Sequence, residues 1–186
     1  MPICKTAEKN FLLLLKRLID VFSIADCITL QTAEVLAEVD KTKARRYLIL
    51  LAQVGYIDIH KIEKGPSAIY LYCFSGRKPN RIYVRDGEKG VIIKFNDVVK
   101  AVEKILNSFV SPRGSIRIMQ LKKMLGLPNT SVVGAILIHF VMSLIKDAVI
   151  RKEVRDSRWA HTTVLVVDRD KALKLIEEWK RGPSSS

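Results

Sequence analysis

The order of short elements that the apolar spacing predicts between residues 11 and 74 most constrains the fold of this chain. From Glu8 to Phe22, apolar side chains recur at spacings of three and four, which predicts an amphipathic helix. A short extended piece from Cys27 to Thr29 follows, and Thr29 can cap a second helix that runs to about Glu38. The chain then turns at Val39.

A third helix and a hairpin complete this first set of elements. Asp40 stands at a cap position, and the helix is expected to run from Lys41 to about Val54 and to end at Gly55. Beyond it, Tyr56 to His60 and Ala68 to Phe74 alternate as two strands around a turn. The predicted order is helix, strand, helix, helix and a two-stranded hairpin.

The second half of the chain repeats this order of elements without repeating the residues. Asn96 or Asp97 can cap the first helix of the repeat, and its third helix is expected between Pro128-Asn129 and about Lys146. We therefore predict an α+β fold, mainly helical, with four parts: a first domain at 1–75, a linker and β-hairpin at 76–95, a second domain with a C-terminal helix at 96–181, and a disordered tail at 182–186.

The net charge points to a polyanionic partner. The chain has 32 Lys and Arg against 19 Asp and Glu, which leaves a formal charge of +13. Such an excess favours nucleic acid or an acidic membrane as partner, although a basic but inert surface is the alternative. No apolar run is long enough to suggest a transmembrane helix, so no membrane is expected.

The stretch from Ile28 to Ile57 resembles the winged helix-turn-helix family. The matching features are a capping Thr, a helix of small residues, a Val at the turn, an Asp before the third helix, a Tyr-Leu pair and a Gly before the strand: Thr29, Ala33, Val39, Asp40, Tyr47, Leu48 and Gly55. The resemblance covers roughly 11–74 well and 96–167 more loosely. It implies two winged-helix units in tandem.

In that family the first half of the third helix enters the major groove, and the hairpin, or wing, touches backbone or minor groove. The resemblance therefore assigns duplex-DNA contacts to the cations and the Thr at the start of this helix and to two wing lysines: Lys41, Thr42, Lys43, Arg45, Arg46, Lys61 and Lys64. Ala44, Tyr47, Leu48 and Leu51 are expected to point inward. The alternative for these cations is an ordinary solvated basic face.

Two further basic groups are candidates for DNA contact. Arg81 and Arg85 share one face of the predicted hairpin at 81–95, and the same pattern suits a plain solvent face. Arg155 and Arg158 lie on the second wing beside Trp159, where Arg and Trp together could bind the DNA backbone or stack on a base. A charged hairpin with Trp159 packed beneath it is equally consistent.

Two of the predicted helices have more apolar side chains than one buried face can hold. This predicts an interface, either within the chain or with a second copy. In the first unit these are Ile49 and Leu50, which we expect the hairpin, the second unit or another subunit to cover. In the second unit the third helix begins without Lys or Arg, so it is poorly suited to make the main contacts with DNA. Its interface candidates are Val133, Ile136, Leu137 and Phe140.

No catalytic, metal or cofactor pattern is present in the sequence. The three histidines lack companions at ligand spacing, and no phosphate loop or nucleophile motif occurs. Three widely spaced cysteines predict no disulfide framework and favour a reducing, cytoplasmic location. We therefore expect a non-enzyme without a cofactor or small-molecule substrate.

The function expected from these observations is double-stranded DNA binding, with transcriptional regulation as its purpose and a homodimer or partner protein joined through apolar helix faces. Tandem winged helices also serve as protein-interaction modules, in endosomal-sorting complexes and polymerase-associated factors, and the apolar third helices favour that alternative. A replication or chromatin-type protein of low sequence specificity is the third possibility.

Overall fold

The computed structural model describes residues 5–64, 67–86, 89–157 and 160–182, which form two compact units. Unit 1 spans Met1–Lys94 and unit 2 spans Phe95–Ser186. Both units combine helices with an antiparallel or mixed sheet, so the predicted α+β class is confirmed. Of the tail predicted at 182–186, only Gly182, the residue that ends the last helix, is described.

Three helices of unit 1 follow the predicted order closely. They are α1 (Lys5–Ile24), α2 (Leu30–Ala37) and α3 (Lys41–Gln53), with the short strand β1 (Cys27–Thr29) between the first two. The Thr29 hydroxyl accepts from the backbone N–H of Thr32, and the Asp40 carboxylate accepts from that of Lys43. Both predicted N-caps are therefore confirmed, and each satisfies a donor that the helix start leaves unpaired.

A five-stranded sheet supports these helices, in the order β2-β3-β1-β4-β5. Its remaining strands are β2 (Ile57–Lys64), β3 (Ser67–Phe74), β4 (Arg81–Asp86) and β5 (Lys89–Lys94). β1 pairs antiparallel with β3 and parallel with β4. The hairpin predicted as a linker segment between two domains thus belongs to the sheet of unit 1, because β4 completes the hydrogen bonding of β1.

The helix-facing side of this sheet forms one core with α1, α2 and α3. Leu14, Leu18, Ile28, Leu48 and Tyr72 are buried together there. Ala44, Tyr47, Leu48 and Leu51 of α3 point into the core, as their spacing predicts. The inward face of α3 is therefore buried in the core of unit 1, and the opposite face of the helix is exposed to solvent.

A buried carboxylate ties the end of α1 to the sheet. Asp26 is 6% exposed, and its Oδ1 accepts from the Arg81 guanidinium at 2.9 Å while its Oδ2 accepts from the Arg81 backbone N–H at 2.9 Å. Arg77 lies 3.8 Å from the same carboxylate and donates to the carbonyl oxygens of Phe22 and Ala25, where α1 ends. These contacts join α1, β1 and β4 at one point.

Cys27 and Cys73 form a disulfide across the β1–β3 pair, where they are direct partners in the register. This corrects the expectation that the three cysteines remain unpaired. The argument for a reducing compartment therefore fails, because it depended on unpaired thiols. The spacing of 46 residues concealed the pair, since only the sheet brings the two strands together.

Unit 2 repeats the order of unit 1. Its elements are α4 (Phe95–Asn107), β6 (Arg113–Arg117), α5 (Ile118–Met124), α6 (Ser131–Ile145), a 3₁₀ turn (Lys146–Ala148), β7 (Val149–Ser157), β8 (Ala160–Asp168) and α7 (Arg169–Arg181). The strands form a sheet in the order β6-β8-β7. The helix α4 begins at Phe95, one or two residues before the predicted caps Asn96 and Asp97, and the strands β7 and β8 extend into the predicted loop at 155–161.

The helix α6 is the core of unit 2 and is packed on by α4, α5 and α7. The four residues predicted as an interface are at most 2% exposed: Val133, Ile136, Leu137 and Phe140. They are therefore covered within the chain, which is one of the two predicted alternatives, and they are not available to a second copy. Three neighbouring helices, rather than the expected single core face, explain why α6 is apolar almost all round.

A buried lysine explains the glycine within α6. The Lys122 ammonium donates to the Asn129 Oδ1 at 3.1 Å and the Thr130 carbonyl oxygen at 2.8 Å. A Cβ built at Gly134 would lie 3.3 Å from the same nitrogen. The glycine thus leaves room for Lys122 of α5 to cross α6 and hold the turn between the two helices.

The span Ser131–Ala148 is long and apolar enough, by length and composition, to cross a membrane. It comprises α6 and the 3₁₀ turn, and 56% of it is buried inside the protein. Its apolarity is accounted for by the packing of α4, α5 and α7 around it.

Arg81→Ala should lower the free energy of unfolding by about 1–3 kcal/mol, because the buried Asp26 Oδ1 loses its closest donor. The control is Lys94→Ala, which removes the exposed cation directly opposite Arg81 in the β4–β5 register and should change stability by less than about 0.5 kcal/mol. Urea unfolding followed by circular dichroism measures both. Equal midpoints for the two variants would show that the Asp26 contact contributes nothing.

Candidate nucleic-acid interface

The helix pair α2–α3 is held against the sheet by a hydroxyl cluster. The Thr32 hydroxyl lies 2.9 Å from that of Thr29, donates to the Tyr83 carbonyl oxygen at 3.3 Å and accepts the backbone N–H of Arg85 at 3.0 Å. Thr32 is fully buried. The start of α2 is thereby fixed to strand β4, and a rigid start of α2 sets the direction in which α3 leaves the turn.

The helix α1 fixes the other side of this pair. Arg17 donates to the Leu36 carbonyl oxygen and to the Glu38 carboxylate, both at 2.7 Å, and so holds the turn after α2. Glu38 has a φ of 54°, the left-handed conformation that ends many helices. In α3, the Tyr47 hydroxyl donates to the Ala7 carbonyl oxygen at 3.0 Å, and the Tyr47 ring packs edge-on against Phe11.

The first half of α3 projects its polar side chains outward. Lys41, Thr42, Lys43, Arg45 and Arg46 are all exposed, and α3 contains no acidic residue. The helix N-terminus adds its own positive potential at the same end. This half of the helix is thus a compact cationic surface on a rigid support.

The capping carboxylate offsets one of these charges. The Asp40 Oδ2 lies 3.2 Å from the Lys43 ammonium, and both side chains are more than half exposed. The backbone N–H of Lys43, and then its ammonium, lower the pKa of Asp40 below the usual carboxyl value. Asp40 therefore stays ionised near neutral pH, and its stabilisation of the helix start is lost only as the pH falls through the lowered pKa.

The hairpin β2–β3 lies beside this cationic half. Burial raises the pKa of Tyr72 on β3, while the positive charge of Arg45 on α3 acts in the opposite direction. Arg45 is thus an electrostatic neighbour of the hairpin face that packs against the helices. Lys61 of β2 is exposed on that same face. Helix and hairpin present their cations on adjoining surfaces.

The other predicted contacts in unit 1 have structural partners. The Arg81 guanidinium is bound to Asp26, which raises the pKa of Arg81 through their hydrogen bond and charge. Arg81 thus has a structural role in unit 1, while its side chain is 45% exposed and its contact with DNA stays a prediction. Arg85 is half-buried, and its backbone N–H is bound by Thr32. The sequence did not reveal this role, because Asp26 and Thr32 are distant from both arginines along the chain.

Three predicted residues cannot be placed. Arg158, like the neighbouring Trp159, lies outside the described residues, as do the side chains of Lys64 and Arg155. In unit 2, the start of α6 carries Ser131 and Val132 in place of the cations of α3. The two units therefore share an order of elements, and the cationic third helix occurs in unit 1.

Ile49 and Leu50 lie on the outer side of α3 and are 40% and 50% exposed. Among the described residues of unit 1, the hairpin leaves both side chains exposed, which corrects the expectation that it would cover them, while cover by another subunit stays a prediction. Val54, directly after α3, is 76% exposed. The second half of α3 thus presents an apolar outer surface, defined here as Ile49, Leu50 and Val54, next to the cationic first half.

Comparison with known proteins yields one structural similarity. No protein-family model matches the chain, and no curated protein matches it. A solved structure, that of hypothetical protein PyrSV_gp04 from Pyrobaculum spherical virus, is similar with a TM-score of 0.46 and 13% sequence identity. The alignment covers 84% of this chain and 96% of that one.

Proposed function

We propose that the protein binds double-stranded DNA through α3 and the β2–β3 hairpin of unit 1, and that it acts as a transcriptional regulator built from two winged-helix units. The observation that carries the proposal is the exposed cationic half of α3, from Lys41 to Arg46, held by Tyr47, Thr32 and Arg17. Phosphate neutralisation by Lys and Arg dominates affinity for DNA, so a rigid cluster of this kind is the required surface.

The order of elements supports the tandem winged-helix part of the proposal. In each unit a helix, a short strand, two helices and a hairpin follow one another: α1-β1-α2-α3-β2-β3 and α4-β6-α5-α6-β7-β8. In winged helices the third helix enters the major groove, and four exposed long cations on α3 can reach phosphates or the acceptor edge of guanine. The neutral start of α6 assigns unit 2 a supporting role.

Arg45→Ala/Arg46→Ala should weaken binding to duplex DNA at least tenfold and should lower the slope of log affinity against log salt by about 2, because two phosphate contacts are lost. Fluorescence anisotropy across several salt concentrations measures both quantities. The matched control is Lys171→Ala/Lys174→Ala, which removes two exposed cations from α7 and the same net charge. Equal affinity of the two double variants would contradict the proposed reading helix.

Asp40→Asn should tighten duplex binding a few-fold at low salt and raise the salt slope by about 1, because it removes the carboxylate that pairs with Lys43. Asparagine caps helices about as well as aspartate, so α3 should persist, and circular dichroism verifies this. The control is Asp147→Asn, an equal charge change at an exposed site in unit 2. Weaker binding by a correctly folded Asp40→Asn protein would count against α3 as the contact.

Sequence preference separates a regulator from a replication or chromatin-type protein. A regulator should discriminate strongly between its site and random duplex, while the same salt slope without preference indicates the less specific role. Selection from a randomised duplex pool gives the answer directly.

One observation favours a second candidate, a protein-interaction module. The apolar outer surface of Ile49, Leu50 and Val54 is not needed for phosphate contact and is suited to a second copy or a partner protein. Light scattering at high concentration tests the homodimer: wild type should pair, and Leu50→Lys should be a monomer. A wild-type protein that is monomeric throughout would argue against pairing.

A further inference from the structure

The helix-facing side of the β2–β3 hairpin continues past the core as an exposed surface. In the register, Ile59 is opposite Tyr72 and Lys61 is opposite Tyr70, so these four side chains share one face. Tyr72 is buried in the core, whereas Ile59 is 44% exposed, Tyr70 is 39% exposed and Lys61 is exposed. The hairpin thus extends beyond the helices that cover its base.

The helix α3 contacts strand β2, and Ala44, directly before Arg45, is buried in the same core cluster as Tyr72. In agreement with this placement, the charge of Arg45 acts on the Tyr72 hydroxyl, and the hydroxyl of Tyr70 is a second electrostatic neighbour of Tyr72. The corner surface, defined as Arg45, Ile59, Lys61 and Tyr70, therefore contains one aromatic ring and one aliphatic side chain beside two long cations. All four belong to unit 1.

The apolar members of the corner surface are left unexplained by duplex phosphates alone. Phosphate contact requires Arg45 and Lys61 but gains nothing from an exposed isoleucine and a tyrosine ring. A ring with a flat exposed face next to cations is the combination that binds an unpaired base, with the ring stacking on the base and the cations pairing with its phosphate. In a paired duplex the base faces are stacked on each other and cannot reach such a ring.

We propose that the corner surface binds an unpaired nucleotide of a DNA strand that continues from the duplex on α3. This inference rests on the proposed function, and it adds that the preferred ligand is a duplex joined to a single-stranded segment. Tyr70 supplies the stacking face, Ile59 packs against the edge of the base or its sugar, and Arg45 and Lys61 neutralise the adjoining phosphates. No covalent step is involved.

The experiment compares a blunt duplex with the same duplex carrying a short single-stranded overhang of either polarity. Wild type should bind one overhang roughly five- to hundredfold more tightly than the blunt end, which is the range for one stacked base. A 2-aminopurine in the overhang should lose fluorescence on binding as it stacks. Tyr70→Ala should abolish both effects, so that its affinity for the overhang DNA equals its own affinity for the blunt duplex.

Tyr70→Phe is the matched variant, because it keeps the ring and should keep both the overhang preference and the quenching. It also controls for folding, since a loss seen with Tyr70→Ala but not with Tyr70→Phe reflects the ring itself. Equal affinity of wild type for blunt and overhang DNA would overturn this inference and leave the proposed function intact. Absence of binding to either DNA would overturn both.

Discussion

The pairing of β1 with both β3 and β4 is the interaction on which unit 1 depends. β1 has only three residues, yet it joins the β2–β3 hairpin on one side to the β4–β5 hairpin on the other. The backbone at Asp26 continues the pairing, since its N–H donates to the Arg81 carbonyl oxygen at 2.7 Å and its carbonyl oxygen accepts from Phe74 at 2.9 Å. The Asp26 carboxylate and the Cys27–Cys73 disulfide reinforce both junctions.

This arrangement also sets the position of the proposed interface. Thr29 ends β1 and caps α2, and Thr32 then binds α2 to the backbone of β4. A hydrogen bond of this kind contributes roughly 0.5–1.5 kcal/mol, but its larger effect is to exclude other orientations of the helix pair. Because α3 follows α2 after a short turn, fixing α2 to the sheet also fixes the orientation of the cationic half of α3. A surface that must match the spacing of phosphates requires that rigidity.

The order of elements and the caps could be predicted from the sequence because they depend on local chemistry. Spacing of apolar residues identified α1 and α3, and Thr29 and Asp40 marked helix starts by side chains that bind the next turn. The pairing of β4 with β1, the Asp26–Arg81 contact and the Cys27–Cys73 disulfide could not be predicted in this way. Each joins residues about fifty positions apart, and only the assembled sheet brings them together.

The residues of the predicted site also divide into those that local patterns identify and those that depend on a distant partner. The exposure of Lys41, Lys43, Arg45 and Arg46 follows from helix periodicity, because the buried residues of α3 already fix which side faces inward. Arg81 looked equivalent to them in the alternation of its strand, but its partner Asp26 lies outside that strand. In unit 2, α6 has more apolar residues than one core face needs, which suggested an interface. These residues are needed because three other helices of the unit pack around α6.

The central claim is that the start of α3, rather than the high overall charge, contacts DNA. Two-dimensional NMR of the ¹⁵N-labelled protein during titration with duplex DNA tests it residue by residue. We expect the largest shift changes at the backbone amides of Lys41 to Arg46 and at Lys61, with little change at the start of α6. Changes spread over the exposed cations of both units, with none concentrated on α3, would contradict the account.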